Sequence, residues 1–293
     1  MTMHSTSRTS RPAHGHPRTT GTAARAVSSP LPPAVRRTLA LIAALAVPLA
    51  GCSARAGAPD GSAGRPAQTQ EDRQAASEVR VLWMGDSIAG AQAPALEAAL
   101  EAGGVTFMNA TSDGGGNVVA GDHPVTKMGA KSTWKTLREH LTSFRPTVVA
   151  YQITTYDWGS GSQQLAAYRK LAKTAEDGGA RLVLVSAPPF KIDDFFRPHA
   201  AAIKSAPRMA ARAADTENAR YLDASQLWGT DYSADRAQRS KDGIHSCQQG
   251  SAAFATWFAK RLGELTEFTP AAPATWATGS WTGDERYVKL GCG

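Results

Sequence analysis

The chain has 293 residues, and its contents of 42% hydrophobic and 19% charged residues are normal for a soluble globular protein. Its formal net charge of +7 is misleading, because residues 1–51 contain six arginines and no Asp or Glu. The remainder has 26 basic and 25 acidic residues. Nucleic-acid-binding proteins need a basic face to neutralise phosphates, and the total charge of this remainder offers no support for that class.

The N-terminal region has the pattern of an export signal. Residues 38–50 form an apolar run of 13 residues behind Arg36 and Arg37, whereas a membrane-spanning helix needs about 20. Such a run with a positive flank is typical of a signal peptide. Residues 49–52, Leu-Ala-Gly-Cys, resemble the bacterial lipobox, which implies that Cys52 is lipidated and becomes the mature N-terminus. The alternative is an ordinary secretory cleavage site near a cysteine.

These features predict a lipoprotein signal peptide over residues 1–51 and a location on the outer face of the bacterial cell membrane, lipid-anchored or secreted. Residues 52–77 follow as a flexible tether. They are rich in Ala, Gly, Pro and Ser, and residues 53–76 lack aromatic and large aliphatic side chains, so they cannot bury enough apolar surface to become ordered. A coil of this length spans roughly 25–30 Å.

Strands and helices alternate from residue 78 onward. Short apolar or β-branched runs predict strands at residues 79–84, 105–109, 147–153, 181–186 and 221–222. Helical spacing and capping residues predict helices at 89–102, 132–143 with Ser132 as its cap, 162–177, 200–216 and 252–265. Strands separated by helices imply a three-layer α/β/α domain with a central, mainly parallel five-stranded sheet. This domain is expected to span residues 78–266, followed by an aromatic C-terminal strap at 267–293.

In such sheets the chemistry lies beyond the carboxyl ends of the strands. Gly85, Asp86 and Ser87 follow the first predicted strand and open a helix. A serine at this place has an exposed hydroxyl near the backbone N–H groups of a helix N-terminus, which suits a nucleophile. Ser and Asp are also the usual helix N-caps, and taken alone the motif favours that structural role.

A second motif, Asp242-Gly243-Ile244-His245, precedes the last predicted helix. A nucleophilic serine needs a base, and the base needs a carboxylate that orients it. A short turn can provide both groups. A four-residue pattern of this kind also arises often by chance, so alone it favours an ordinary surface loop.

Together the two motifs make the chain similar to the SGNH/GDSL hydrolase family over nearly its entire folded part. The resemblance implies a flavodoxin-like SGNH fold, with Ser87 as nucleophile, His245 as general base and Asp242 as the residue that orients it. It also implies an oxyanion hole formed by the N–H groups of Ser87 and a loop glycine, which corresponds here to Gly114. A plain flexible turn is the alternative for this glycine run.

The third block of the family departs from its usual pattern, which is Gly-x-Asn-Asp with an asparagine that donates to the oxyanion. Here residues 154–157 read Thr-Thr-Tyr-Asp, so Asp157 is retained and Tyr156 replaces the asparagine. Loss of an oxyanion donor costs about 10²–10³ in turnover. Thr154, Thr155 or Tyr156 substitutes as donor, or two backbone donors suffice, or activity is low. SGNH domains appended to bacterial membrane acyltransferases are similarly variable at this block.

The chain has three cysteines. If Cys52 is lipidated, Cys247 and Cys292 remain, and two cysteines in an exported protein are expected to form a disulfide. The alternative is Cys247 as a free nucleophilic thiol beside His245, which leaves the serine motif unexplained. The disulfide would hold the strap residues Trp276, Trp281 and Tyr287 near His245, either as packing over the domain or as a sugar-stacking rim.

No cofactor or metal is expected. Two further carboxylates and three histidines lack metal-ligand spacing; they are Asp193, Asp194, His123, His140 and His199. The leading hypothesis is a serine esterase that acts on a small ester or an acylated glycan outside the cytoplasmic membrane. The alternatives are an O-acyltransferase to a cell-wall glycan and a catalytically silent glycan-binding module. The expected partners are this substrate and, through the lipid anchor, the membrane; no nucleic acid is expected, and the protein is expected to be a monomer.

Overall fold

A computed structural model describes residues 79–292; the predicted signal peptide, Cys52 and the predicted tether at residues 52–77 lie outside this part. The structure contains a five-stranded sheet flanked by helices. The strands are β1 (Arg80–Met84), β2 (Thr106–Asn109), β3 (Val148–Gln152), β4 (Arg181–Val185) and β5 (Ala219–Leu222). The helices are α1 (Ser87–Ala102), α2 (Pro124–Ser143), α3 (Gly161–Asp177), α4 (Ala200–Thr216), α5 (Ser225–Trp228), α6 (Gln248–Gly263) and α7 (Glu285–Lys289).

All strands of the sheet are parallel, in the order β2-β1-β3-β4-β5. Val81 of β1 lies opposite Phe107 of β2 and Val148 of β3. The predicted three-layer α/β/α class is therefore confirmed, and the sheet is parallel throughout. From β1 the chain first adds a strand on one side of the sheet and then continues on the other side with β3. Ligands of such folds bind at this switch point, outside the carboxyl ends of the strands.

Each face of the sheet is covered by its own hydrophobic core. Because side chains alternate along a strand, Val81 and Trp83 face one core while Leu82 and Met84 face the other. The first core is completed by α1, α6 and the C-terminal segment, and the second by α2, α3 and α4. β1 and β3 are thus buried on both sides, which fixes the groups at their carboxyl ends.

One predicted helix begins at the wrong place. Helix α2 starts at Pro124, with the side chain of His123 accepting a hydrogen bond from the N–H of Val125 at 3.2 Å. Ser132 lies exposed inside the helix and does not cap it. Gly129 weakens the helical signal, but a Cβ at this position would lie 2.2 Å from Oδ1 of Asn117. Packing against that loop therefore overrides the unfavourable helix propensity of glycine.

The C-terminal segment after α6 packs against the domain. Trp276 and Tyr287 are 5% and 0% exposed, and Trp281 packs against the first core. The rings of Trp276 and Tyr287 therefore serve packing, whereas Trp281 stays partly exposed. Among residues 79–292, no helix has both the length and the hydropathy required to cross a bilayer.

Candidate active site

Ser87 lies at the junction of β1 and α1, where it is the first residue of the helix. Asp86 caps this helix, because its Oδ1 accepts a hydrogen bond from the N–H of Ile88 at 3.0 Å. The first N–H groups of a helix have no partner inside the helix. The N–H of Ser87 is one of these groups, and it lies at the positive end of the helix dipole.

The loop after β2 packs tightly against this junction. A Cβ at Gly116 would lie 2.0 Å from the carbonyl oxygen of Gly85, and Gly116 has a φ of +71°. Only glycine meets both conditions without displacing the backbone. The N–H of Ser112 also donates to the carbonyl of Gly85 at 3.0 Å. These contacts fix the loop that carries Gly114 beside the Ser87 turn.

Asp242 and His245 lie on a tight turn before α6. The N–H of Ser240 donates to the carbonyl of His245 at 2.7 Å, and the N–H of Gly243 donates to the carbonyl of Ser240 at 2.9 Å. An antiparallel bridge between Arg239 and Ser246 closes the base of the turn. This backbone geometry directs both side chains to the same side of the loop.

Three side chains form a continuous hydrogen-bonded chain. His245 Nε2 lies 2.9 Å from Ser87 Oγ, and His245 Nδ1 lies 2.6 Å from Asp242 Oδ2. With the proton on Nδ1, Nε2 is free to accept the hydroxyl proton of Ser87. The two motifs are 158 positions apart in sequence, and the fold brings them into contact.

The carboxylate of Asp242 is held in its ionised form. Partial burial raises its pKa, but hydrogen bonds from the His245 ring, the Ser240 hydroxyl and the N–H groups of Ile244 and His245 outweigh this effect and lower the pKa to about 2. The Ser240 hydroxyl donates to Oδ1 at 2.6 Å. Asp242 therefore stays negatively charged at neutral pH, where it can orient the imidazole of His245 and stabilise its cationic form.

Arg239 stabilises this turn through hydrogen bonds from its guanidinium group. Its Nε donates to the carbonyl of Ala237 at 2.7 Å and one terminal nitrogen donates to the carbonyl of Ile244 at 3.2 Å. The guanidinium carbon lies 4.7 Å from the ring centroid of buried Trp228. Burial lowers the pKa of Arg239 to about 10, although the charge of Asp242 raises it. The guanidinium remains a cation near the acid of the turn.

The retained acid of the third block, Asp157, is fully buried and organises the loops around it. Its Oδ1 accepts from the N–H groups of Val118 and Val119, each at 3.2 Å. Its Oδ2 accepts from the hydroxyls of Tyr151 at 2.8 Å and Tyr168 at 3.1 Å, and from the N–H of Thr154 at 3.1 Å. Burial raises the pKa of Asp157 to about 6 against the lowering effect of these bonds. Asp157 thus joins β3, α3 and the glycine loop.

Thr155 has no donor left for an oxyanion. Its N–H and its hydroxyl both donate to Oδ2 of Asp86, at 2.7 and 2.8 Å. Asp86 is buried, and desolvation raises its pKa despite the bonds from Thr155 and Ile88. The threonine therefore anchors the residue next to Ser87.

Tyr156 keeps a free phenol. It is half-buried among aromatic rings, with centroids 5.3 Å from Trp158 and 6.1 Å from Phe195. Within the described residues its hydroxyl has no hydrogen-bond partner. Burial, together with the nearby charges of Asp86 and Asp193, raises its pKa, so the group remains a protonated donor.

Ser87 and His245 line a cavity of about 560 Å³. Gly114 lines the same cavity, and among the described residues no acceptor is found for its N–H. Five of the nine lining residues come from the C-terminal segment; they are Asp284, Glu285, Arg286, Lys289 and Leu290. One wall of the cavity is therefore built by the strap.

The strap is attached at several points. A disulfide joins Cys247 to Cys292, two residues after His245, with the Cα atoms 5.5 Å apart. Arg286 forms an ion pair with Asp113 at 3.0 Å, next to Gly114. The buried Tyr287 hydroxyl donates to the carbonyl of Ala91 in α1 at 3.0 Å. These attachments hold the strap beside both the histidine and the glycine loop.

A comparison with models of known protein families gives a match that includes both sequence motifs. The family model described as SGNH domain (fused to AT3 domains) matches residues 51–245, about two thirds of the chain. The chain belongs to this family. The SGNH resemblance inferred from the Gly-Asp-Ser and Asp-x-x-His motifs is thereby confirmed. The match ends at His245, so the strap lies outside it.

Solved structures with a similar fold to this SGNH protein include a GDSL-like lipase from Bacteroides thetaiotaomicron, at 16% identity and a TM-score of 0.49 over 68% of this chain and 92% of that one. A carbohydrate acetylesterase family member from Sinorhizobium meliloti has 14% identity and a TM-score of 0.49, over 64% and 98%. The periplasmic domain of a lipopolysaccharide acetyltransferase from Salmonella ser. Paratyphi A has 12% identity and a TM-score of 0.48, over 64% and 84%. No curated protein matches this chain by sequence.

In this SGNH protein the structure brings Ser87, His245, Asp242 and Gly114 together, and it engages Thr155 elsewhere. Sequence reasoning missed the supporting groups Ser240 and Arg239, for which the sequence carries no distinctive signal. It also missed the cavity-lining residues of the strap, although the cysteine spacing had located that segment near His245. Within residues 79–292, no group of His, Cys, Asp and Glu side chains is arranged to hold a metal ion.

Proposed function

We propose that this SGNH protein is a serine esterase that cleaves acyl esters through an acyl-serine intermediate. The observation that carries the proposal is the hydrogen-bonded series Ser87–His245–Asp242, with distances of 2.9 and 2.6 Å. A serine hydroxyl, a base and an orienting carboxylate in this geometry are the parts that nucleophilic acyl transfer requires.

The reaction proceeds in two halves. Ser87 Oγ attacks the ester carbonyl while Nε2 of His245 takes its proton. The tetrahedral intermediate collapses, and His245 returns the proton to the departing alcohol. Water then attacks the acyl-serine with His245 as base, which releases the acid and restores Ser87. Asp242 orients the imidazole and stabilises its cationic form throughout.

The negative oxygen of each tetrahedral intermediate needs donors already in place. We assign this role to the N–H groups of Ser87 and Gly114 and to the hydroxyl of Tyr156. The phenol is the donor in the third block that the fold leaves unpartnered, and it stands where the family usually has an asparagine. Thr155 is excluded because Asp86 accepts both of its donors.

The substrate is proposed to be a small ester or an O-acylated carbohydrate. The cavity wall contains both carboxylates and cations, so it offers acceptors and donors for sugar hydroxyls. Transfer of the acyl group to a glycan uses the same machinery. The side chains of His245 and Asp242 are 18% and 36% exposed, and this access for water favours hydrolysis.

The test is hydrolysis of a short-chain nitrophenyl ester by the purified protein and by Ser87→Ala. We expect the substitution to reduce kcat by at least about 10³-fold, because triad residues act as a unit. The exposed Ser233→Ala serves as control and should leave the rate unchanged. Equal rates for wild type and Ser87→Ala would refute the esterase. A fluorophosphonate probe that fails to label Ser87 would favour a silent binding module.

Anchoring through Cys52 is a separate proposal. It is supported by the apolar run at residues 38–50 and the Leu-Ala-Gly-Cys sequence that follows. The Cys247–Cys292 disulfide is also the kind of bond that persists in oxidising compartments outside the cytoplasm. Mass spectrometry of the mature N-terminal peptide should find a diacylated Cys52, and Cys52→Ser should abolish the modification. An unmodified wild-type peptide would contradict it.

A further inference from the structure

The basic residues of the described chain are unevenly distributed. Residues 79–292 have 23 basic and 21 acidic side chains, so they are nearly neutral. Helices α2, α3 and α4, which cover one face of the sheet, carry ten basic and four acidic residues. The rest of the described chain has thirteen basic and seventeen acidic residues. The net charge of this helix layer is therefore positive, whereas the net charge of the rest of the described chain is negative.

The cations on two of these helices form stripes. Lys127, Lys131 and Lys135 recur every four residues on α2, as do Lys204, Arg208 and Arg212 on α4, and all six are exposed. Residues at this spacing share a helix face, and like charges there destabilise the helix. Such an arrangement is unfavourable unless an anionic partner neutralises it.

Most of these charges have no internal partner. Lys135 pairs with Glu139 at 2.8 Å. The other five form no ion pair with another described residue; they are Lys127, Lys131, Lys204, Arg208 and Arg212. On the central helix, Arg169 and Lys173 are paired with Glu217 and Asp177. The unneutralised charge therefore lies on the two outer helices of the layer.

The three helices lie side by side. Helices α3 and α4 are joined by Gln164, which donates to the carbonyl of Ala202 at 2.8 Å. Helices α2 and α3 are joined by Lys170, whose ammonium lies 4.5 Å from the ring centroid of Trp134. The cations thus project from adjacent helices of one layer, and Lys204 also lines a cavity beside the ends of β4 and β5. An extended anionic surface can contact both outer helices at once, which favours it over a single polymer chain.

We propose that the outer faces of α2, α3 and α4 form a docking surface for a membrane leaflet that contains anionic lipids. Basic residues close to such a leaflet are attracted within about one Debye length. The 26 residues between Cys52 and residue 79 lie outside the described part, and an anchor at Cys52 would hold the domain near a leaflet. The docked orientation would make the catalytic cavity, at the carboxyl edge of the sheet, open along the membrane plane.

The experiment uses the full chain reconstituted into vesicles of phosphatidylcholine, with or without phosphatidylglycerol. An amine-reactive reagent labels lysines, and mass spectrometry measures the rate at each site. We expect Lys127, Lys131 and Lys204 to be labelled about fivefold more slowly on the anionic vesicles. Lys260, on α6 across the sheet, is the internal control and should keep its rate. Roughly 1 M NaCl, which shortens the Debye length to about 3 Å, should remove the protection.

Two matched variants test which charges matter. Lys131→Gln with Arg208→Gln should restore the labelling of Lys127 and Lys204, whereas Lys260→Gln with Arg261→Gln, which removes the same charge from α6, should not. Equal labelling on both vesicle types would overturn the proposal, as would equal protection of Lys260. Protection by a soluble polyanion without protection by anionic vesicles would assign the face to an anionic polymer instead. None of these outcomes depends on esterase activity.

Discussion

Thr155 donates two hydrogen bonds to a single oxygen of Asp86, the residue that precedes Ser87. This links the end of β3 to the turn after β1 at the centre of the sheet. The position of Ser87 therefore depends on a threonine that does not itself face the substrate in the proposed mechanism.

Thr155→Val removes the hydroxyl and keeps the shape of the side chain. We expect a loss of about 1–3 kcal/mol in the free energy of unfolding, because a buried carboxylate loses a donor. We also expect kcat to fall while KM changes little, since the turn that carries Ser87 loosens. Denaturant titration and steady-state kinetics measure the two effects. Thr155→Ser retains the hydroxyl and should behave like wild type; if it is equally impaired, the hydrogen bond is not the cause.

Tyr156→Phe tests the phenol as an oxyanion donor. Removal of one such donor is expected to lower kcat by about 10²-fold, with little change in stability because the ring packing is retained. Tyr232→Phe, on the loop that contacts Gly243, is the matched control. An unchanged kcat in Tyr156→Phe would mean that the backbone donors suffice. Tyr156→Asn would then show whether the residue usual in the family can act at this position.

Asp157→Asn is expected to destabilise the fold by about 2–4 kcal/mol, because an amide NH₂ would face groups that are themselves donors. Tyr168→Phe removes one donor and should cost about 1 kcal/mol. The exposed Asp194→Asn is the control and should be neutral. Chemical denaturation at neutral pH compares the three. A stable Asp157→Asn would contradict the role assigned to the network.

The same carboxyl predicts a pH dependence of stability. The pKa of Asp157 is about 6 in the folded protein and 3.8 as the unperturbed value, so the folded state binds the proton more tightly. Its contribution to the free energy of unfolding should therefore decrease as pH rises from about 4 to about 6. Asp86, also raised by burial, acts in the same direction. Asp157→Asn should reduce this slope without abolishing it; an unaltered slope would show that Asp157 titrates normally.

Removal of the disulfide with Cys247→Ala and Cys292→Ala should lower the free energy of unfolding by roughly 4 kcal/mol, the loop-closure entropy for about 45 residues. Because the strap lines the cavity that contains Ser87 and His245, we also expect kcat/KM to fall. Thermal unfolding and ester hydrolysis measure these effects. Arg286→Ala, which breaks a largely exposed ion pair, should change stability by less than about 1 kcal/mol. A double variant with wild-type kinetics would show that the strap stays in place without the bond.

The sheet could be predicted closely because its strands are short apolar runs bounded by Gly, Pro or a helix cap. Strands β1 and β4 end within two residues of their predicted limits. Helix α4 was predicted over its full length. The start of α2 was wrong because Gly129 obscured the helical pattern, and only its tertiary contact with Asn117 explains the glycine.

For the site, the two sequence motifs pointed to Ser87, Asp242 and His245. Each motif lies at a position that the topology brings to the same edge of the sheet. The engagement of Thr155 by Asp86 could not be predicted, because the two are 69 positions apart and the family pattern is altered between them. The strap wall could not be predicted for a similar reason: its five lining residues have no distinctive pattern, and they reach the cavity because Arg286, Tyr287 and the disulfide hold the strap there.

The bond between Cys247 and Cys292 joins the strap to the residue two positions after His245. A chain in which these thiols are still reduced has the triad residues but lacks the covalent closure of the neighbouring wall. Assembly of this cavity wall is thus coupled to oxidation of the two thiols, because the strap is covalently fixed beside His245 only after the disulfide has formed.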